Sequence, residues 1–225
     1  MLRRSYLPYF FVALLHLIAE FFSWSDITIY TKPLLMPVLA VGFYFSLTSV
    51  SKNLPYIKSL LAALAFSTAG DVLLQFEKTL YQPLYFYFGL GAFLCAQCMY
   101  ILSFFRLGPR SISKYWFVAY LLYFITFLAV LYPGMPLALQ VPVTIYGLVL
   151  TLMAWQSWRS FKIGGYISVV GALFFVLSDS LLAINRFKMA IPQAGTWIML
   201  TYLIAQFLIV RGATYKLHQA PSVPS

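Results

Sequence analysis

Long apolar runs organise this chain, not alternation. Eight of them, each near 20 residues, fall at about 6–22, 33–50, 56–75, 84–105, 114–131, 138–158, 164–183 and 193–212. A helix of that length spans the hydrocarbon of a bilayer. The short alternating segments of a transmembrane β-barrel are absent from the sequence. The pattern predicts an all-α polytopic membrane protein with eight transmembrane helices. The breaks between runs carry turn chemistry or charge. Asp26 and Lys32-Pro33 separate the first two runs, and Lys52-Asn53-Leu54-Pro55 the next two. Tyr81-Gln82-Pro83 precedes the fourth, and Leu107-Gly108-Pro109-Arg110 follows it. Tyr132-Pro133-Gly134-Met135-Pro136 leads into the sixth, and Lys162-Ile163-Gly164-Gly165 into the seventh. A proline in a first helical turn lacks only a hydrogen bond that the helix end would not make.

Composition agrees. The 225 residues are 62% hydrophobic and only 9% charged, where a soluble domain carries about 25% charged residues. The net charge of +10 is not a nucleic-acid signal here, because the basic residues sit between apolar runs, where they meet lipid headgroups. Their distribution sets an orientation. Arg3, Arg4, Lys52, Lys58, Arg106, Arg110, Lys114, Arg159, Lys162, Arg211 and Lys216 fall on one side, whereas Lys32, Lys78, Arg186 and Lys188 fall on the other. The positive-inside rule places the first group, with both termini, in the cytoplasm. The first run follows Arg3 and Arg4 without a small-residue cleavage site and reads as a retained span. Short loops and the lack of an N-glycosylation sequon point to a bacterial inner membrane, with the endoplasmic reticulum as the alternative. Cys95 and Cys98, one helical turn apart, read as buried small hydrophobes. His16 and His218 are too far apart in sequence to build a zinc or haem site.

The acids are rarer still: Glu20, Asp26, Asp71, Glu77 and Asp179. Asp71 lies in AFSTAGDVLLQF and Asp179 in ALFFVLSDSLLAI. An ionisable group inside an apolar span marks a function by default, since hydrocarbon disfavours it strongly. Both aspartates come late in spans that run outward in this topology. They therefore sit at similar depth and can share one cavity. Glu20, Asp26 and Glu77 fall toward the same side.

The chain also repeats itself. Phe66-x-x-x-Gly70-Asp71-x-Leu73-Leu74 matches Phe174-x-x-x-Ser178-Asp179-x-Leu181-Leu182 at an offset of 108. Ala96-Gln97 matches Ala205-Gln206 at 109, as do Phe93 and Tyr202, Pro33 and Pro142, and Pro83 and Pro192. One inserted residue between Asp179 and Pro192 explains the slip. Residues 1–215 thus read as one membrane domain of two parallel pseudo-repeats, about 1–107 and 108–215, followed by a short polar tail at 216–225. Intramembrane sites often lie between such halves. The halves are unequal around their aspartates, which is how two carboxyl groups acquire separate acid and base roles.

The remaining candidates surround that pair. Lys32, on the outer side, suits a phosphate or an aspartate, or an interfacial anchor. Gln97 and Gln206 hydrogen-bond across helices or to substrate. Tyr100 and Tyr202 lie one turn from these glutamines on the same helix faces. Ser178 adjoins an aspartate, but no histidine stands near it in sequence to activate it, and no G-x-S-x-G, Walker or H-E-x-x-H motif occurs. Asn185 and Arg186, placed after the seventh span, form a loop turn or touch a headgroup. Paired-carboxylate chemistry in an apolar pocket is what remains. A proton-coupled transporter and a lipid-binding scaffold without turnover also fit these residues.

At these positions the chain resembles the YhhN-like family, the lysoplasmalogenases of animals and bacteria. The resemblance is carried by Lys32-Pro33-Leu34, by Phe66-x-x-x-Gly70-Asp71-x-Leu73-Leu74 and by Gly89-x-x-x-Phe93-x-x-Ala96-Gln97-x-x-Tyr100. It continues in Tyr146-x-x-x-Leu150-x-x-Met153-Ala154, Gly171-Ala172-x-x-Phe175-x-x-Ser178-Asp179-x-x-Leu182-Ala183 and Tyr202-x-x-Ala205-Gln206. It runs from about residue 32 to 210. At Gln97 the chain departs from a family pattern in which histidine is common. The resemblance implies hydrolysis of the vinyl ether bond of a lysophospholipid, releasing a fatty aldehyde and glycerophosphoethanolamine or glycerophosphocholine. It implies no metal or organic cofactor. Asp71 and Asp179 would be the catalytic pair, with Lys32, Gln97, Tyr100, Ser178, Tyr202 and Gln206 around the substrate.

Overall fold

A computed structural model describes residues 4–48, 51–80, 82–107, 114–160 and 166–215. The polar tail expected at 216–225 lies outside the described residues. Among the described residues there are eight α-helices: α1 (Leu7–Phe21), α2 (Ser25–Ser46), α3 (Pro55–Leu80), α4 (Pro83–Arg106), α5 (Lys114–Leu131), α6 (Leu137–Ser157), α7 (Ile167–Phe187) and α8 (Ala194–Tyr215). Seven of them, α2 to α8, are long and apolar enough to cross a membrane. The first expected span forms α1, which has 15 residues and is about 22 Å long at 1.5 Å per residue.

All eight helices carry outward-facing apolar side chains, among them Phe11, Tyr30, Phe45, Phe66, Leu122 and Leu173. Such a surface belongs against lipid, and helices alone satisfy their backbone there without neighbours. The protein is an integral, multi-pass membrane protein. Cys95 and Cys98 are exposed on this outer surface, which corrects the expectation that they are buried. In lipid a small apolar side chain gains little by facing inward.

Two tight hairpins form the frame. In α3–α4, a Cβ on Gly70 would lie 2.6 Å from the Phe93 ring, and one on Gly89 2.8 Å from Leu74. The far end of that hairpin is tied by Arg106, whose guanidinium donates to Ser59 Oγ at 2.7 Å. In α7–α8, a Cβ on Gly171 would meet the Ile209 backbone nitrogen at 2.8 Å. Small residues let helix backbones approach where no hydrophobic effect drives them together. Helices α1 and α2 pack as a third pair, α2 also lies on α3, and α6 packs against both α4 and α7. Helix α5 is peripheral: its one buried residue is Leu131.

The second helix differs from its expected start. Pro33 and Pro37 lie inside α2, which begins at Ser25. Pro142 likewise lies inside α6. Each proline deprives one carbonyl of its helical donor, a defect that transmembrane helices absorb through neighbours and side chains. Lys32 therefore sits two turns into a helix, facing the bundle. The main core packs Leu35, Met36, Leu39, Leu60, Tyr100 and Phe175. A smaller cluster of Phe86, Leu131, Met135, Leu139 and Phe187 closes one end, where Gly134 abuts the Phe187 carbonyl so closely that no side chain fits.

Candidate active site

Asp71 on α3 and Asp179 on α7 line one cavity of about 90 Å³. That exceeds the roughly 10–15 Å³ that one water needs on this measure. Lys32, Tyr146, Ser178 and Tyr202 complete its polar lining, and Leu74, Phe86, Leu90, Phe93 and Val143 are among its apolar walls. Asp71 is 2% exposed, whereas Asp179 is partly exposed. Each carboxyl is held by a tyrosine. Tyr202 on α8 donates to Asp71 Oδ2 at 2.9 Å, and Tyr146 on α6 donates to Asp179 Oδ2 at 2.6 Å. A hydroxyl donor fixes one oxygen of each aspartate and leaves the other for a ligand.

The tight hairpins set this geometry. Ser178 donates across its hairpin to the Ile198 carbonyl at 3.0 Å, so its hydroxyl serves packing at the cavity wall. Gly70, its counterpart beside Asp71, leaves room for the Phe93 ring, which meets Tyr202 edge-on at 6.0 Å.

Three expected site residues lie behind the cavity rather than in its lining. Tyr100 hydrogen-bonds to Gln206 Oε1, and Gln206 Nε2 donates to Ser67 Oγ at 3.1 Å. All of Tyr100, Gln206 and Ser67 are fully buried. Gln97 is buried close to the Tyr146 hydroxyl, with no hydrogen bond of ordinary geometry at either amide atom among the described residues. These side chains support the tyrosines and α3 from behind.

Tyr146 enters as a residue not singled out for the site by the sequence. Its only signal is its place in Tyr146-x-x-x-Leu150-x-x-Met153-Ala154, and 17 tyrosines give no reason to prefer one. His16 has no metal-ligand partner at useful spacing in the sequence. It is fully buried and bonded through Nδ1 to Thr31 at 2.8 Å, next to Lys32 in α2. Among the described residues no three His, Cys, Asp or Glu gather into a metal-holding group.

Two further spaces adjoin the cavity. An apolar pocket of about 70 Å³ lies among α5, α6 and α7, and it shares Val143, Tyr146, Asp179 and Ala183 with the first. On another side opens a larger vestibule of about 660 Å³, richer in charged side chains, which shares Lys32, Leu74, Phe86, Leu182, Ile198 and Met199. Asp179 thus borders both the aspartate cavity and the apolar pocket, and Lys32 borders both the cavity and the vestibule.

Comparison with known proteins identifies the family. The YhhN family model matches residues 27–213, from α2 to α8. The chain belongs to the YhhN family. The matched segment holds both aspartates and both of their tyrosine donors. Lysoplasmalogenase TMEM86B of Homo sapiens is 32% identical over 187 residues, covering 79% of this chain and 72% of that protein. Lysoplasmalogenase TMEM86B of Rattus norvegicus is 30% identical over 193 residues, covering 85% and 74%. Lysoplasmalogenase TMEM86A of Homo sapiens is 28% identical over 201 residues, covering 85% and 79%. No solved structure matches the chain.

Proposed function

We propose that this protein is a lysoplasmalogenase, which hydrolyses the vinyl ether bond of a lysoplasmalogen to a fatty aldehyde and a glycerophosphoethanolamine or glycerophosphocholine. The observation that carries the reading is the aspartate pair: two carboxyls from different helices on one apolar cavity, each oriented by a tyrosine. The names of its relatives supply the substrate class.

The chemistry needs two carboxyl roles. One aspartic acid protonates the β-carbon of the vinyl ether, and the electron pair of the double bond forms the new C–H bond. The ether oxygen stabilises the resulting cation as an oxocarbenium ion. The other aspartate, ionised, takes a proton from water as the water oxygen bonds to the cationic α-carbon, the one that bears the ether oxygen. The hemiacetal then collapses: its hydroxyl proton leaves, the C–O bond to glycerol breaks, and the glycerol oxygen is protonated. Glycosidases meet an oxocarbenium-like transition state with a similar pair. Tyr146 and Tyr202 hold the carboxyls, and Gln97 and Gln206 position those tyrosines through the buried layer behind them. The apolar pocket beyond Asp179 takes the start of the alkenyl tail.

The same reading places eight spans in one membrane domain, with α1 as the first and both termini in the cytoplasm. It also relates residues 1–107 to 108–215 as parallel repeats. The packing of α3 with α4 and α7 with α8, of α1 with α2 and α5 with α6, and of α2 with α3 and α6 with α7 supports the repeat.

The test is aldehyde release from lysoplasmenylethanolamine by purified protein in detergent. Wild type is expected to turn over. Asp71→Asn and Asp179→Asn are each expected to lose about 100-fold or more, the scale of general acid–base catalysis, while keeping a cooperative thermal transition. Turnover at the wild-type rate in either folded variant would sink the mechanism. No turnover by folded wild type on either headgroup would sink the assignment.

A further inference from the structure

The vestibule has a composition of its own. Glu20 of α1, Lys32 of α2, Glu77 and Lys78 of α3, and Arg186 of α7 all line it. Three of the four basic residues that the charge pattern places on the outer side therefore converge on one mouth, together with two of the chain's five acids. Lipid anchors would be spread around the perimeter and facing outward. These gather instead around one recess, which adjoins the aspartate cavity and shares Lys32 with it.

We propose that this vestibule is the headgroup site, built for a phosphate–ammonium zwitterion; the inference rests on the lysolipid reading above. Arg186 is poised for the phosphate. Its guanidinium lies 3.7 Å over the Phe86 ring and donates through one nitrogen to Glu77 at 3.1 Å. An arginine has five N–H donors in a planar fork, so a guanidinium clamped flat by a ring and one carboxylate still presents an edge for a two-point phosphate contact. Lys32, which borders the cavity and the vestibule alike, meets the same phosphate from the glycerol side. Glu20 is poised for the ammonium. Its side chain keeps only 9% of its surface, and Lys78 approaches it at 3.6 Å, beyond hydrogen-bond range. Its carboxylate packs on Gly195, where a Cβ would lie 2.5 Å from Oε2. Three cations and two carboxylates make a nearly balanced field, which complements a zwitterion better than a polyanion. The helix corrects the placement of Asn185 and Arg186 in a loop after the seventh span. Both lie in the last turn of α7, and Asn185 accepts from the Ile191 N–H of the following loop at 2.9 Å.

Two measurements on the full chain in detergent decide it. The first is the ratio of kcat/KM for lysoplasmenylethanolamine to that for 1-alkenylglycerol, which has the vinyl ether and no phosphate. Wild type is expected to favour the lysolipid at least 10-fold. Arg186→Gln is expected to lower that ratio about 10-fold through KM, and Arg186→Lys to restore part of it. A ratio near one in wild type, or an unchanged ratio in Arg186→Gln, overturns the proposal. The second is calorimetric binding of glycerophosphoethanolamine and of inorganic phosphate. The zwitterion is expected to bind more tightly than phosphate, and Glu20→Gln to weaken the zwitterion alone. Equal binding of both, indifferent to Glu20→Gln, makes this a plain phosphate site and overturns the zwitterion. If Arg186→Gln fails to fold, the Glu20→Gln arm carries the decision. Binding without any vinyl ether turnover by wild type defeats the hydrolase and leaves the headgroup site standing. Turnover without headgroup binding or preference does the reverse.

Discussion

Single atoms decide much of this site. The hydroxyl of Tyr146 reaches Asp179 at 2.6 Å, and a hydrogen bond to a charged group contributes about 1.5–3 kcal/mol. Tyr146→Phe keeps the ring and removes the donor. It is expected to lower kcat about 10- to 100-fold, at tenfold per 1.4 kcal/mol, with a melting temperature within a few degrees of wild type. A normal kcat would show that Asp179 needs no such partner. Gly70 is the second pressure point. A methyl group there would lie 2.6 Å from Phe93, and Phe93 packs edge-on to Tyr202, the donor to Asp71. Gly70→Ala is expected to destabilise by about 1–3 kcal/mol, the range for overpacking, and to lower activity by shifting Tyr202. Thermal unfolding and aldehyde release read the two effects separately. Ser178 shows the limit of reading residues from sequence. Its neighbour in the chain is an aspartate, yet its hydroxyl is engaged with a carbonyl of the next helix.

At the scale of elements, the hairpins α3–α4 and α7–α8 hold one aspartate each, and their close approach depends on glycine. Gly171 faces the backbone of α8, with Ile209 N at 2.8 Å and Ala205 O at 3.0 Å from a would-be Cβ. Backbone cannot step aside as a side chain can. Gly171→Ala is therefore expected to cost about 1–3 kcal/mol and to loosen Asp179. Gly91, on α4, has nothing within 4 Å of its would-be Cβ, so Gly91→Ala is expected to fall within about 0.5 kcal/mol of wild type. Reversible unfolding in mixed micelles compares the two; equal losses would refute the packing argument. The helix ends show what periodicity conceals. Apolar patterning placed the second span at Pro33, because Asp26 and Lys32 look like a break. The helix begins at Ser25 instead, since a proline inside a membrane helix is tolerated and Lys32 faces the vestibule and cavity rather than a loop.

For the whole molecule, the proposed orientation makes the vestibule an outer feature. Lys188 lies just past α7 and Lys58 early in α3, both exposed. In a background lacking Cys95 and Cys98, Lys188→Cys is expected to react with a membrane-impermeant maleimide on intact cells. Lys58→Cys is expected to react only after the membrane is opened. The opposite pattern would invert the topology and put the vestibule in the cytoplasm. Arg186 pairs with a glutamate 109 residues before it, the offset of the sequence match. In a two-fold repeat matched positions meet only beside the axis, so in the proposed repeat the vestibule would straddle that axis.

The sequence by itself determined the helical class, the multi-pass membrane setting, the family and the two intramembrane aspartates. These follow from composition, from runs of bilayer length, and from charges too costly in lipid to be incidental. Tertiary structure alone decided which polar groups meet. Asp71 and Asp179 reach one cavity because two glycine-packed hairpins face each other. Tyr146 joins that cavity, whereas Gln97, Tyr100 and Gln206 fall behind it. Cys95 and Cys98 turn outward. In a chain whose surface is as apolar as its core, hydrophobicity no longer tells inside from outside, so helix faces are assigned by close packing and by the hydrogen bonds that buried polar groups require.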